Sequence, residues 1–262
     1  MVSYLFGLES MTYLTCGMVD RKVPDYSLES AICKVSGTEF LWYAANRAMQ
    51  LRGGEGYMRT DPYEKILRDI RIFPIFEGAN DVLRMFVALS GMKPLGEELK
   101  GLANLNLTSP IGSIGVLADY VGGRIQRGVR PDRITLAHDE LKSLADPVSD
   151  QVTRLRSISE GLLRKHGRDI ESQQLVLKRV ADATADIYAQ VAVLSRVSHI
   201  FASDGVEPSG QERYIAETFC TRAARRVDSA LNQVEKNDDD RMTAIAKLAY
   251  RRGEYGYALF EN

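Results

Sequence analysis

Glu77 stands between an apolar run, Ile70 to Phe76, and Gly78, just ahead of a helix that opens near Asn80. A carboxylate set among apolar neighbours loses hydration, which raises its pKa and makes it a better base near neutrality. The pattern therefore suits removal of a proton from an activated carbon. A glutamate at a helix entrance can equally serve the first backbone N–H groups as a cap, and on these residues alone both readings stand. A second cluster, Gly53-Gly54-Glu55-Gly56, favours loop geometry because glycine reaches positive φ cheaply. Such a loop can offer backbone N–H groups to a phosphate, or it can do no more than stop a helix. Metal chemistry finds no support, since Cys16, Cys33 and Cys220 are far apart and His138, His166 and His199 complete no ligand spacing. The three cysteines are expected on buried apolar faces. His166, next to Gly167, reads as a helix-end residue that complements the dipole.

The elements that must position these groups are helices. Residues 3–17 form an apolar-faced helix expected to end near Gly17. A second runs from about Ser27 to Gln50, with Ile32, Val35, Phe40 and Tyr43 at helical spacing. Asp61-Pro62-Tyr63-Glu64 has the form of a capping box that starts the next helix. Another is expected from Asn80 to Leu89, burying Val82, Leu83, Phe86, Val87 and Leu89 and stopped by Gly91. A Pro- and Gly-containing stretch at 92–110 reads as a linker. Long amphipathic helices follow near 136–166, 171–202, 210–235 and 240–253, and Asp238-Asp239-Asp240 reads as a solvated turn before the last. Strand alternation is nearly absent, so the expected fold is all-α. The expected organisation is a first helical domain over 1–92, a linker segment over 93–135 and a second helical domain over 136–262.

Composition narrows the function classes. The 262 residues carry 34 basic and 35 acidic side chains, a balance that argues against nucleic acid as a partner. Apolar residues make up 45% and charged residues 26%, ordinary values for a globular protein. No apolar run approaches the roughly 18–20 residues that span a bilayer. The opening MVSYLFGLESMTYLTCGM lacks a basic n-region, a cleavage pattern and transit-peptide arginines, and reads like the interior of a helix.

Three motifs in fixed order carry more than any one alone. They are Gln50-Leu51-Arg52-Gly53-Gly54-Glu55-Gly56, then Arg68-Asp69-Ile70-Arg71-Ile72-Phe73, then Ile75-Phe76-Glu77-Gly78-Ala79-Asn80-Asp81. Together they resemble the acyl-CoA dehydrogenase family, whose pattern runs Q-x-x-G-G-x-G and then R-D-x-R-I-x-x-I-[YF]-E-G-[TS]. Arg84-Met85-Phe86-Val87-Ala88-Leu89, followed by Gln174 to Asp182 and Val193 to Arg196, is similar to the very-long-chain branch and its complex I assembly paralogue.

The resemblance implies FAD-dependent α,β-dehydrogenation of a long-chain acyl-CoA, with Glu77 as the base that takes the α-proton. It places the Glu77 backbone N–H against the thioester oxygen, and Phe76 and Gly78 along the acyl-CoA site. Ala79, Asn80 and Asp81 match the segment that touches FAD. Gln50, Gly53 and Gly54 match the loop that reaches FAD from a neighbouring subunit. It further implies a homodimer, electron-transfer flavoprotein as the electron acceptor, and a place on the matrix side of the mitochondrial inner membrane, or in the cytoplasm of a bacterium. The rival from another class is a non-catalytic interaction module in respiratory complex I assembly.

Two departures stand out. Ala79 replaces the usual Thr or Ser, which removes a hydrogen bond of about 0.5–1.5 kcal/mol. The amino-terminal helical and β-sheet domains of the family are absent from this sequence, so the chain is expected to be a fragment, inactive alone. Between 111 and 129, Ile111, Ile114, Leu117, Val121 and Ile125 recur at helical spacing ahead of a cluster of arginines. Peripheral contact with a membrane surface is the reading the subgroup favours, and a helix packed on its own domain is the alternative.

Overall fold

The computed structural model describes residues 1–103, 133–203 and 210–257, and among them no strand occurs. Nine α-helices are described: α1 (Val2–Asp20), α2 (Ser27–Arg52), α3 (Gly54–Tyr57), α4 (Tyr63–Ile70), α5 (Asn80–Ala103), α6 (Lys142–His166), α7 (Gln174–Ala202), α8 (Gly210–Glu235) and α9 (Asp239–Arg252). The all-α expectation agrees with this architecture.

At the centre lies α7, which packs against α8, α5, α1 and α6. Its register follows from sequence, because Leu177, Val180, Ala183, Ile187, Gln190, Leu194 and Val197 recur every three or four residues and are all buried. α8 answers with Ala223, Val227 and Leu231. The same cluster takes in Met11 of α1, Ile32 of α2 and Val87 of α5. Helices α1, α2 and α5 therefore share one core with α6, α7 and α8.

Several boundaries differ from expectation for identifiable reasons. α1 continues past Gly17 to Asp20, with the Arg21 N–H donating back to the Gly17 carbonyl at 3.1 Å. Cys16 is exposed, contrary to the expected buried face, while Cys33 is half-buried and Cys220 buried. The reason lies in α1 itself, which carries apolar side chains on more faces than its neighbours cover. α5 passes through Gly91 and Pro94 to Ala103, into the stretch read as linker. Glycine costs a helix about 1 kcal/mol, whereas full burial of a residue such as Met92, 3% exposed, contributes about 1.5–3 kcal/mol. Packing on α2 and α7 therefore carries the helix through. Val82 and Phe86, expected inside, are exposed at 63% and 39%. The expected amphipathic segment at 111–129 lies outside the described residues.

The capping box at Asp61 does not form. Asp61 accepts from Arg52 at 2.9 Å instead, and Glu64 pairs with Arg68 at 2.8 Å one turn along α4. Ion pairs to two different helices have taken the groups that would have capped the first N–H donors. α9 has no buried residue and is tied down by Asp239, which receives both terminal nitrogens of Arg179 at 2.6 Å.

Candidate functional site

The connector between α4 and α5 folds into a tight reversal. Phe73 N–H donates to Ile70, Ile75 and Phe76 N–H both donate to Ile72, and Asn80 N–H reaches back to the Pro74 carbonyl at 2.9 Å. That last bond closes a loop with Glu77 at its crest. Glu77 has φ +53 and Gly78 has φ +88. A left-handed backbone is costly for a residue with a Cβ, by about 1–2 kcal/mol, and it persists only where the surroundings impose it. Gly78 must be glycine on two counts: its own φ, and Leu83, whose side chain would stand 3.1 Å from an added Cβ.

What imposes this backbone is Asn80. Its side chain is 5% exposed and fully engaged: Nδ2 donates to Thr38 Oγ1 at 2.9 Å and toward Glu39 Oε1 at 3.4 Å. Lys34 donates to Asn80 Oδ1 at 2.7 Å and to the Gly78 carbonyl at 2.6 Å. Burial holds the Lys34 ammonium below the ordinary lysine range, partly opposed by Glu39 and Glu77. The turn is thus pinned to the middle of α2. Trp42 adds a second attachment through Arg71, whose guanidinium lies 5.7 Å from its ring.

The Glu77 carboxylate is exposed. The expected desolvation is not found on this chain, because the crest of the loop points away from the helices that anchor it. Beside it in sequence the apolar Ile75 and Phe76 are exposed at 51% and 44%, and on α5 Val82 and Phe86 are exposed as well. Gly78 and Asp81 are exposed and Ala79 is half-buried. Among the described residues the Glu77 N–H has no acceptor. The turn therefore offers a carboxylate, a free N–H and an apolar rim within one residue of each other.

Gln50, Gly53 and Gly54 lie elsewhere. Gly53 ends α2 with φ +60, donating to the Gln50 carbonyl at 3.2 Å, and Gly54 begins the single helical turn of α3 where open loop was expected. All three are exposed. Counting 12 to 16 residues along α2 from Thr38 or Lys34 to Gln50 puts this loop about 18–24 Å from the anchor of the Glu77 turn. One chain does not bring the two together.

Sequence reasoning missed Lys34, Thr38 and Glu39, which hold the turn. No local signal marked them, since their polar contacts with Asn80 join segments 41 to 46 residues apart. A cavity of about 810 Å³ lies between α1, α2, α7 and α8, and no residue of the turn from 73 to 81 lines it. Tyr4, Phe40, Arg84, Asp186, Phe219 and Arg226 are among the residues lining it.

Residues 3–92 match the family model described as acyl-CoA dehydrogenase, C-terminal domain, and residues 139–255 the one described as ACAD9/ACADV, C-terminal domain. The chain belongs to the acyl-CoA dehydrogenase family, whose carboxyl-terminal portion it carries. It is 34% identical over 254 residues to the bovine mitochondrial very long-chain specific acyl-CoA dehydrogenase, covering 94% of this chain and 38% of that protein. Against the human protein of the same name it is 35% identical over 241 residues, 90% of this chain and 36% of the relative. A probable acyl-CoA dehydrogenase of Bacillus subtilis is 26% identical over 95% of this chain and 43% of its own length. The crystal structure of an acyl-CoA dehydrogenase complexed with FAD from Bacillus anthracis shares the fold, with a TM-score of 0.71 and 21% identity over 99% of this chain and 45% of that one. The chain spans less than half the length of each of these relatives.

Proposed function

We propose that this chain supplies the base-bearing part of an FAD-dependent acyl-CoA dehydrogenase that acts on long-chain acyl-CoA. The observation that carries the reading is the left-handed turn at Glu77, where a carboxylate and a free N–H are held side by side at the edge of an apolar patch. In this role Glu77 takes the α-proton of the thioester while its own N–H donates to the carbonyl oxygen, where enolate charge develops. Donor and base in one residue fix the distance between the two events. Phe76, with Ile75 beside it, gives the acyl chain an apolar wall, and Gly78 lets the substrate approach without a side chain in the way.

FAD is the implied cofactor, and the residues present fit it. An added Cβ at Gly53 or Gly54 would meet nothing within 4 Å, so both stand open to a ligand. Gly53, Gly54 and Gln50 would hold one part of the cofactor, and Ala79, Asn80 and Asp81 another; for Asn80 only the backbone is available, its side chain being taken up by α2. Bound flavin supplies the acceptor for the hydride that leaves the β-carbon. The separation of the glycine loop from the Glu77 turn supports a homodimer in which each cofactor contacts both subunits. Electron-transfer flavoprotein as the next acceptor, and a mitochondrial or bacterial setting, follow from the same reading.

The test joins this chain to the amino-terminal portion of the bovine relative and adds long-chain acyl-CoA without oxygen. Bleaching of the flavin's visible absorption is the expected result, and a flavin that stays oxidised would remove the dehydrogenase reading. The exposure of Glu77 on this chain favours a second reading, an interaction module without turnover in complex I assembly. A joined protein that takes up no flavin would support that instead.

A further inference from the structure

Lys34 is 44 residues from Gly78 in sequence, and its ammonium donates to the Gly78 carbonyl at 2.6 Å and to Asn80 Oδ1 at 2.7 Å. Both acceptors belong to the segment that carries Glu77. The other end of that segment is fixed by the Asn80 N–H on the Pro74 carbonyl, at 2.9 Å. Two consecutive residues of positive φ lie between these fixed points. Glycine at position 78 leaves the peptide after it free to rotate, and rotation there would swing Glu77 away from its present direction. The Lys34 contact removes that freedom, since a charged donor holds a carbonyl more strongly than a neutral one.

We propose that Lys34 is a positioning residue for Glu77: it clamps the Gly78 carbonyl and the Asn80 amide onto α2 and so sets the direction of the Glu77 N–H and carboxylate. Its catalytic meaning rests on Glu77 being the base, as proposed above. The clamp itself is measured without turnover.

Hydrogen exchange by NMR on the full 262-residue chain, comparing wild type with K34M and K34R, tests this. In K34M the Asn80 amide is expected to exchange about tenfold faster, as a local opening, with the Glu77 and Gly78 amide resonances displaced and Ala223 in α8 unchanged. K34R keeps donors for both acceptors and restores most of the protection. An Asn80 exchange rate in K34M within about twofold of wild type overturns the proposal, as does a folded K34R that fails to restore it. Should K34M not fold, the wild-type Lys34 ammonium protons decide: slow exchange is expected, and exchange as fast as that of an exposed lysine contradicts the clamp. Absence of flavin reduction in the joined protein would remove the base reading and leave these rates as they are.

Discussion

Arg84 of α5 reaches Asp182 of α7 through Nε at 2.6 Å. The same guanidinium holds Glu39 of α2 at 2.7 and 2.8 Å. Three helices meet at one cation, and Glu39 is also the acceptor toward which Asn80 points at 3.4 Å. α7 is thereby linked to the residue that pins the Glu77 turn. Burial works against the Arg84 charge, and Glu39 and Asp182 together outweigh it, so the guanidinium is held above its ordinary pKa.

Removing that cation takes away the ion-pair partner of Glu39 and leaves Asp182 with Lys178 alone, 2.6 Å away. Breaking a fully buried pair costs about 3–5 kcal/mol, but the Glu39 and Asp182 side chains are 47% and 31% exposed and partly screened. Arg84→Met should therefore lower stability by about 2 kcal/mol in urea unfolding. A loss under about 0.5 kcal/mol would mean that water already does most of the work at this junction.

The backbone at Glu77 gives a comparison that does not involve catalysis. The side chain is exposed, so truncation loses few contacts, and the left-handed φ of +53 dominates the outcome. E77G should be more stable than E77A by about 1 kcal/mol. Equal stabilities, read from thermal melts, would show that the turn relaxes when the carboxylate is removed.

Close approach of α1 to α8 depends on Gly7. A Cβ there would run into the ring of Phe219, which also packs edge-on against Tyr4 with centroids 5.8 Å apart. G7A is expected to cost about 1–3 kcal/mol, the range for overpacking a core. Its effect should appear as faster amide exchange in both α1 and α8; exchange confined to α1 would argue against the contact.

The attachment of α9 should depend on pH. Hydrogen bonding from Arg179 holds the Asp239 carboxyl below its ordinary value of 3.8. A lowered folded pKa contributes stability that is present above the unfolded value and lost as pH falls through the folded one. Melting temperature should therefore fall below about pH 4 in wild type, and D239N should lack that part of the fall. Parallel curves for the two proteins would show that the pair contributes nothing measurable.

Much of the fold was legible because it is periodic. Val180, Ile187 and Leu194, seven residues apart, mark the buried face of α7 on spacing alone, while Leu175 at the start of the helix is exposed at 39%. Where the reading failed, packing had overridden a local signal: Gly91 and Pro94 stop nothing once Met92 is buried, and Asp61 caps no helix once Arg52 claims it. Glu77, Gly78 and the glycine loop could be singled out from motif order. The clamp from Lys34, 44 residues away, could not, since a polar contact between distant segments leaves no period in sequence. Nor could the exposure of Glu77, because apolar neighbours in sequence do not say which side of the loop faces water.

The role proposed for Glu77, taking the α-proton, is tested by the E77Q variant of the joined protein. Flavin reduction by long-chain acyl-CoA should slow by about 10²–10⁴-fold while the flavin content stays as in wild type. Reduction at the wild-type rate, with flavin in place, would contradict the account.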